Sequence, residues 1–198
     1  MQSTRIAKAC QWFQSKSGQE NPERICSFRD VFQARLDTLY GSFLKKTQDP
    51  STAALVTALA GEIGNNSFDH NLGQWHDTPG CWFDYDFEKK CFWVLIADRG
   101  RGIYHSLKTV KPDLKDDQQA IETAFTKVIS GRFPEKRGNG LKFVSGIMNH
   151  SKPRGLFCIS GTGMISLGQK GEEAKKIIFP QLKKKQSFGT LTFVWWEK

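Results

Sequence analysis

Apolar residues recur at helical intervals near the start of the chain. Within residues 22–46, six of them follow the spacing of one helical face: Phe28, Val31, Phe32, Leu36, Leu39 and Phe43. This pattern predicts an amphipathic helix whose apolar stripe packs in a core. An exposed stripe would instead form a homodimer interface or dock a protein partner.

A second helix is predicted after the break at residues 49–51. The segment that follows is rich in helix-forming residues, and Leu55, Leu59 and Ile63 are spaced by four positions. In residues 81–87, the apolar or aromatic Cys81, Phe83, Tyr85 and Phe87 alternate with Trp82, Asp84 and Asp86. Residues 91–97 then form a more continuous apolar run. This pair of runs predicts a β-hairpin whose second strand is the more buried one.

The second half of the chain returns to shorter elements. Residues 104–137 are polar and basic with one predicted helix at 116–130, and residues 140–150 have helical spacing again. Three further strands are predicted in the segments 156–167, 175–182 and 189–198. This order of elements predicts an α+β two-layer sandwich, with helices on one face of a mixed or antiparallel sheet.

Composition indicates a globular protein. With 198 residues, 38% hydrophobic and 25% charged, we expect one core that carries a helical extension over residues 1–49. The N-terminus lacks an apolar signal region and no run could span a bilayer, so we expect a cytoplasmic protein without membrane contact. The five cysteines are odd in number and lack a C-x-x-C pair, which favours neither a disulfide framework nor a zinc site.

Positive charge dominates the sequence. The formal net charge is +9, and lysines are concentrated in residues 172–187. This excess favours an anionic partner: nucleic acid bound through the basic C-terminal region, an acidic protein or a polyphosphate ligand. A solvated basic loop explains the same charge, and no RNA- or DNA-binding motif accompanies it.

The run GEIGNNSFDHN, residues 61–71, places three polar side chains on one helical face. Glu62, Asn66 and Asp69 lie at positions i, i+4 and i+7. The Asn66 amide oxygen is a hard ligand suited to Mg²⁺, and Glu62 could orient or deprotonate a group that attacks a phosphate. Asn65 is the alternative ligand, and the spacing from Glu62 favours Asn66. A polar helix end that faces solvent is the simpler interpretation of these residues alone.

Two glycine clusters complete the candidate chemistry. Asp98 ends the buried strand without a partner among its sequence neighbours, so we expect a ligand group such as an adenine amino group to satisfy it. Gly100 and Gly102 allow close backbone approach to a ligand. The glycines of residues 137–142 precede a helix N-terminus, which is a seat for phosphate oxygens, although a plain helix-initiating turn would look the same.

Together these segments resemble the ATP-binding domain of the GHKL family, which includes gyrase, heat-shock ATPase chaperones, mismatch-repair ATPases and histidine kinases. Residues 62–69, EIGNNSFD, are similar to the E-x-x-x-N helix motif, and residues 98–102, DRGRG, to the D-x-G-x-G box. The GNGL run at 138–141 resembles the second glycine box. Order and spacing agree over roughly residues 50–198.

The resemblance implies a Bergerat-type fold that binds ATP and Mg²⁺, with a lid over residues 103–137. It implies that Asn66 holds the metal, that Glu62 is the catalytic base, that Asp98 reads the adenine amino group and that Thr190 supports the adenine. The expected nucleotide-binding residues are Asn66, Asp69, Asp98, Gly100, Gly102, Ile103, Arg137, Gly138, Asn139, Gly140, Leu141, Lys142 and Thr190.

Three classes of function remain open. The first is an ATP-dependent protein kinase similar to the small anti-sigma kinases, and the second is an ATPase that switches a protein partner. The third is a module that binds nucleotide without hydrolysing it, or a basic regulator associated with nucleic acid. Glu62 favours an enzyme. No His precedes His70, so we do not expect a sensor histidine autokinase.

Overall fold

The computed structural model describes residues 2–15, 23–71, 73–89, 91–127, 140–150, 153–183 and 188–197. In these ranges the helices are α1 (Gln2–Gln14), α2 (Arg29–Thr47), α3 (Pro50–Asn71), α4 (Gly102–Lys108), α5 (Asp117–Thr126), α6 (Gly140–Met148) and α7 (Gly171–Ile178), followed by a 3₁₀ turn at Phe179–Gln181. The strands are β1 (Ile25–Cys26), β2 (Cys81–Phe87), β3 (Cys91–Asp98), β4 (Arg154–Ser160), β5 (Gly163–Leu167) and β6 (Thr190–Glu197).

The six strands form one antiparallel sheet in the order β1-β2-β3-β6-β4-β5. The register aligns one row of small or polar residues across the sheet. Directly opposed in this row are Cys26, Cys81, Asp98, Thr190, Ser160 and Gly163. Opposed residues project from the same face, so the ends of several strands contribute side chains to one place.

The predicted α+β sandwich is confirmed. Helices α2, α3, α5 and α6 pack their apolar residues with one face of the sheet in a single cluster that includes Phe32, Leu59, Phe125 and Val144. The opposite face is covered as well, by α1 and α7, in a second cluster. Sequence patterns did not reveal this second layer of helices.

On the second face, helix α1 pairs with acidic side chains of β2 in addition to its apolar packing. Arg5 Nη1 donates to Asp86 Oδ2 at 2.7 Å, and Arg5 Nε donates to Asp84 Oδ2 at 3.1 Å. Asp84 is only 2% exposed, and Arg24 lies 3.1 Å from it as a second cation. A buried carboxylate requires such partners, and Arg5 of α1 and Arg24 supply them together.

Most of the apolar stripe of the first predicted helix is buried in the core. Four of its residues are buried on α2: Phe32, Leu36, Leu39 and Phe43. The other two stay open, with Phe28 at 72% and Val31 at 39% exposure. The observed helix begins later than the predicted one, because residues 25–26 pair with β2 as strand β1.

The strand predicted at residues 175–182 is wrong. Residues 175–181 belong to α7 and to the 3₁₀ turn after it, and Leu182 caps that turn. Ala174 and Ile178, four positions apart, are both fully buried against the second face of the sheet. Glu172 and Glu173 lie in the first turn, where the helix dipole favours acidic residues.

The lid and domain boundaries remain predictions. Within the expected lid, α4 and α5 are helical, and Asp117 at the start of α5 accepts a hydrogen bond from Thr162 N at 2.8 Å. Residues 128–137 lie outside the described part. The expected boundary at 49/50 falls between α2 and α3, which share one apolar cluster.

No described helix combines the length and the apolar character that crossing a bilayer would require. All five cysteines are buried. The cytoplasmic location stays a prediction.

We expect Trp12→Ala to lower the free energy of unfolding of the whole protein by about 3–5 kcal/mol. Trp12 is 1% exposed, and the Arg99 guanidinium lies 4.5 Å from the centroid of its ring. Gln11→Ala, at an exposed position of the same helix, is the control and should change stability by less than about 0.5 kcal/mol. Chemical denaturation measures both, and an unchanged midpoint for Trp12→Ala would mean that α1 is not part of the cooperative core.

Candidate nucleotide-binding site

A cavity of about 290 Å³ lies between α3 and the end of the sheet. Residues of α2, α3, β3, α4, α5, α6, β4 and β6 line it. Nine of the predicted site residues are on its wall: Glu62, Asn66, Asp69, Asp98, Gly102, Ile103, Gly140, Leu141 and Thr190. Segments far apart in the sequence therefore meet in one space, which is near the lower end of the size range for small-molecule sites.

Two further predicted residues are described and do not line this wall. Gly100 packs against the Asn71 side chain, and Lys142 is exposed on the first turn of α6. Arg137, Gly138 and Asn139 lie outside the described residues, so their role stays a prediction.

Asp98 is buried at the end of β3 and is 6% exposed. Its carboxylate accepts hydrogen bonds from Ser67 Oγ at 3.0 Å, from Asn71 Nδ2 at 3.1 Å and from Gly100 N at 2.9 Å. The expectation that its sequence neighbours offer no partner is therefore wrong, because Gly100 N donates to it, and α3 brings two further donors that are distant in sequence. All of these partners donate, so Asp98 is held as a hydrogen-bond acceptor beside the cavity.

Burial raises the pKa of Asp98 above its ordinary value. The hydrogen bonds from Gly100, Ser67, Asn71 and the backbone of Thr190 act in the opposite direction, because they stabilise the charged form. The carboxylate is thus costly to place here and is retained by a set of donors aimed at it.

Asn71 is a site residue that the sequence analysis missed. Besides Asp98, its Nδ2 donates to Ser67 O at 2.9 Å, and its Oδ1 accepts from Arg101 N at 3.2 Å. A Cβ atom at Gly100 would overlap the Asn71 side chain. Gly100 is therefore needed for the approach of Asn71 and not for contact with a ligand. The i, i+4 spacing of Ser67 and Asn71 was the available signal.

Ser160 is a second missed residue; it does not line the cavity, but it joins the segments that contribute Ile103 and Thr190 to the wall. Its Oγ accepts from Ile103 N at 2.9 Å, donates to Gly189 O at 3.1 Å and lies 3.1 Å from Thr190 Oγ1. Because the single Ser160 hydrogen is directed to Gly189, Thr190 donates in the contact between the two hydroxyls. The lone pairs of Thr190 Oγ1 then remain as acceptors beside Asp98.

The polar face of α3 forms another wall of the cavity. Glu62 is exposed, whereas Asn66 and Asp69 are half-buried. A Cβ atom at Gly140 would overlap Glu62 Oε2, so this carboxylate lies against the first residue of α6. Asp69 forms an ion pair with Arg29 Nη2 of α2, which brings a cation to the cavity that sequence patterns did not reveal.

The side chain of Asn66 has a property expected of a residue that contacts a ligand. Among the described residues, none accepts a hydrogen bond from Asn66 Nδ2, although this atom is buried. An orphaned buried amide fits a ligand that carries acceptor oxygens, and the amide oxygen of the same side chain is a hard ligand suited to Mg²⁺. The neighbouring Asn65 also lines the cavity, but the orphaned atom belongs to Asn66.

Neither the protein-family models nor the curated proteins contain a match to this chain.

We expect Gly100→Ala to destabilise the protein by about 1–3 kcal/mol, because the new methyl group displaces Asn71 from its hydrogen bonds to Ser67 and Asp98. Gly146→Ala on α6 is the control, since no atom lies within 4 Å of its added Cβ. Replacing this helical glycine should raise stability by up to about 1 kcal/mol. Denaturation midpoints that move in the same direction for both variants would contradict this account of Gly100.

Proposed function

We propose that this protein binds ATP together with Mg²⁺ in the cavity beside α3, in the manner of a GHKL-type ATPase, and acts on a protein partner as a kinase or an ATPase switch. The observation that carries the proposal is the meeting of four separate segments in one cavity. They contribute Asn66 from α3, Asp98 from β3, Gly140 from α6 and Thr190 from β6.

The adenine is assigned to the Asp98 end of the cavity. Since the described groups around Asp98 are donors, its carboxylate favours a ligand that presents amino hydrogens. Adenine carries an amino group where guanine carries a carbonyl oxygen, which would face the carboxylate with repulsion. Thr190 Oγ1, directly opposite Asp98 on the neighbouring strand β6, supplies a further polar contact.

The phosphates are assigned to the end with Asn66, Glu62 and the first turn of α6. Backbone N–H groups at the start of a helix are unpaired and carry partial positive charge, so Gly140 and Leu141 suit phosphate oxygens. Asn66 would hold Mg²⁺, which when bound neutralises phosphate charge and takes its other ligands from phosphate and water. The acidic side chain of Glu62 on the same wall favours a ligand that carries this cation.

Glu62 is the proposed general base. Its carboxylate is exposed beside the start of α6, where it is within reach of both water and a protein hydroxyl. A base in this position orients the attacking oxygen and accepts its proton. Attack by a partner's Ser hydroxyl would make the protein a kinase, and attack by water would make it an ATPase switch.

We expect calorimetric titration of the folded protein with ATP and Mg²⁺ to give measurable binding heat, and Asp98→Asn to weaken ATP binding at least 10-fold, or about 1.4 kcal/mol. The loss follows from replacing an acceptor oxygen with an amide donor that faces the adenine amino group. Asp86→Asn, on the opposite face of the sheet, is the control and should bind ATP normally. Folded protein that gives no heat with Mg²⁺ and ATP would refute the proposed function.

Removal of the base should separate binding from turnover. We expect Glu62→Ala to bind ATP within about threefold of the unchanged protein and to lose turnover by about 100-fold or more. Incubation with labelled ATP and candidate partners reads out both reactions, because label on a protein indicates a kinase and free phosphate indicates an ATPase. The exposed Glu172→Ala is the control. Equal loss of binding and turnover in Glu62→Ala would contradict the assigned role.

A further inference from the structure

The cavity wall is poor in positive charge. Of the described residues that line it, Arg29 is the only Lys or Arg, while Glu62, Asp69 and Asp98 are acidic. A ligand that carries phosphates needs cationic partners, and Arg29 is the one that this wall offers. It belongs to α2, outside the segments that resemble the GHKL motifs.

The position of Arg29 is unfavourable for the helix that contains it. Arg29 is the first residue of α2, where the positive end of the helix dipole disfavours a cation. The preceding Phe28 gives no side-chain cap to the helix. A residue that breaks local helix preferences at the wall of a cavity points to a role in binding.

The ion pair that Arg29 forms is easily released. Its side chain is 49% exposed, and that of Asp69 is 21% exposed. Ion pairs with this degree of solvent access contribute little to stability, so exchange of one anionic partner for another costs little. The planar guanidinium group also forms bidentate hydrogen bonds with phosphate oxygens. A carboxylate at the same site competes for these donors.

We propose that Arg29 is a phosphate-contacting residue that leaves Asp69 and binds the nucleotide when the site fills, so that α2 responds to the ligand. This inference rests on the proposed ATP binding and adds a contact from the N-terminal part of the chain. In the empty site Asp69 pairs with Arg29, and it competes with the phosphate for Arg29 when the ligand enters. Arg29 thereby gives α2, which shares the apolar cluster of the first sheet face with α3, a direct contact with the ligand.

The experiment measures the affinities of adenosine, AMP, ADP and ATP, each with Mg²⁺, for the full chain by calorimetry. We expect Arg29→Ala to weaken the binding of ATP at least 10-fold, while the affinity for adenosine stays within twofold. Along the series AMP, ADP and ATP, the loss should begin with the ligand that first carries the phosphate contacted by Arg29. Arg29→Lys keeps the charge and should recover part of the affinity. Arg24→Ala is the matched control, because it removes an arginine from another ion pair, with Asp84, on the far face of the sheet.

A second variant should change the affinity for ATP in the opposite direction. Asp69→Asn releases Arg29 from its competitor, so we expect ATP to bind several-fold more tightly, and this gain should vanish in the double variant with Arg29→Ala. Circular dichroism confirms that each variant is folded, and if Arg29→Ala does not fold, Arg29→Lys and Asp69→Asn carry the test.

The outcomes separate this inference from the proposed function. If the unchanged protein binds none of the four ligands, the proposed function fails and the inference fails with it. If the unchanged protein binds ATP, but Arg29→Ala weakens adenosine and ATP equally or neither of them, the inference alone is overturned. Weaker ATP binding in Asp69→Asn would also overturn it, because Asp69 would then assist the ligand instead of competing with it.

Discussion

The burial of the Asp98 carboxylate is the constraint on which the site depends. A charged group at the end of a buried strand is stable only where donors surround it, and two of its donors, Ser67 and Asn71, belong to α3. These hydrogen bonds hold the last turns of α3 against the end of β3. The space left between that helix and the strand ends is the cavity, so the same interaction that fixes the layers also shapes the candidate site.

The turn after β3 connects this site with the N-terminal part of the chain. Asp98 contacts α3 on one side of the sheet, whereas the next residue, Arg99, donates to Trp12 O of α1 at 2.9 Å on the other side. Arg99 also pairs with Asp77 at 2.8 Å. Two consecutive residues thus join both helical layers to the sheet. Together with Arg29 on α2, this arrangement brings residues from before position 50 into contact with the proposed nucleotide site and its support.

Sequence patterns predicted the architecture where an element carries a clear period. The spacing of Leu55, Leu59 and Ile63 indicated α3, and the alternation in residues 81–87 indicated β2, because side-chain direction repeats with the period of the backbone. The pattern failed at residues 175–182, since a short apolar run fits a strand and a helix equally well. Only the length and the packing of α7, which begins at Gly171, distinguish the two.

What the sequence by itself determined is therefore local: the shared face of Glu62, Asn66 and Asp69, the end of the buried strand at Asp98 and the glycine clusters after it. The tertiary structure alone decided which distant side chains join them. Arg29 lies 40 positions before its partner Asp69, and Ser160 lies 30 positions before Thr190. Such pairs depend on helix packing and strand register, which arise from the burial of the whole core and leave no periodic signal in either segment.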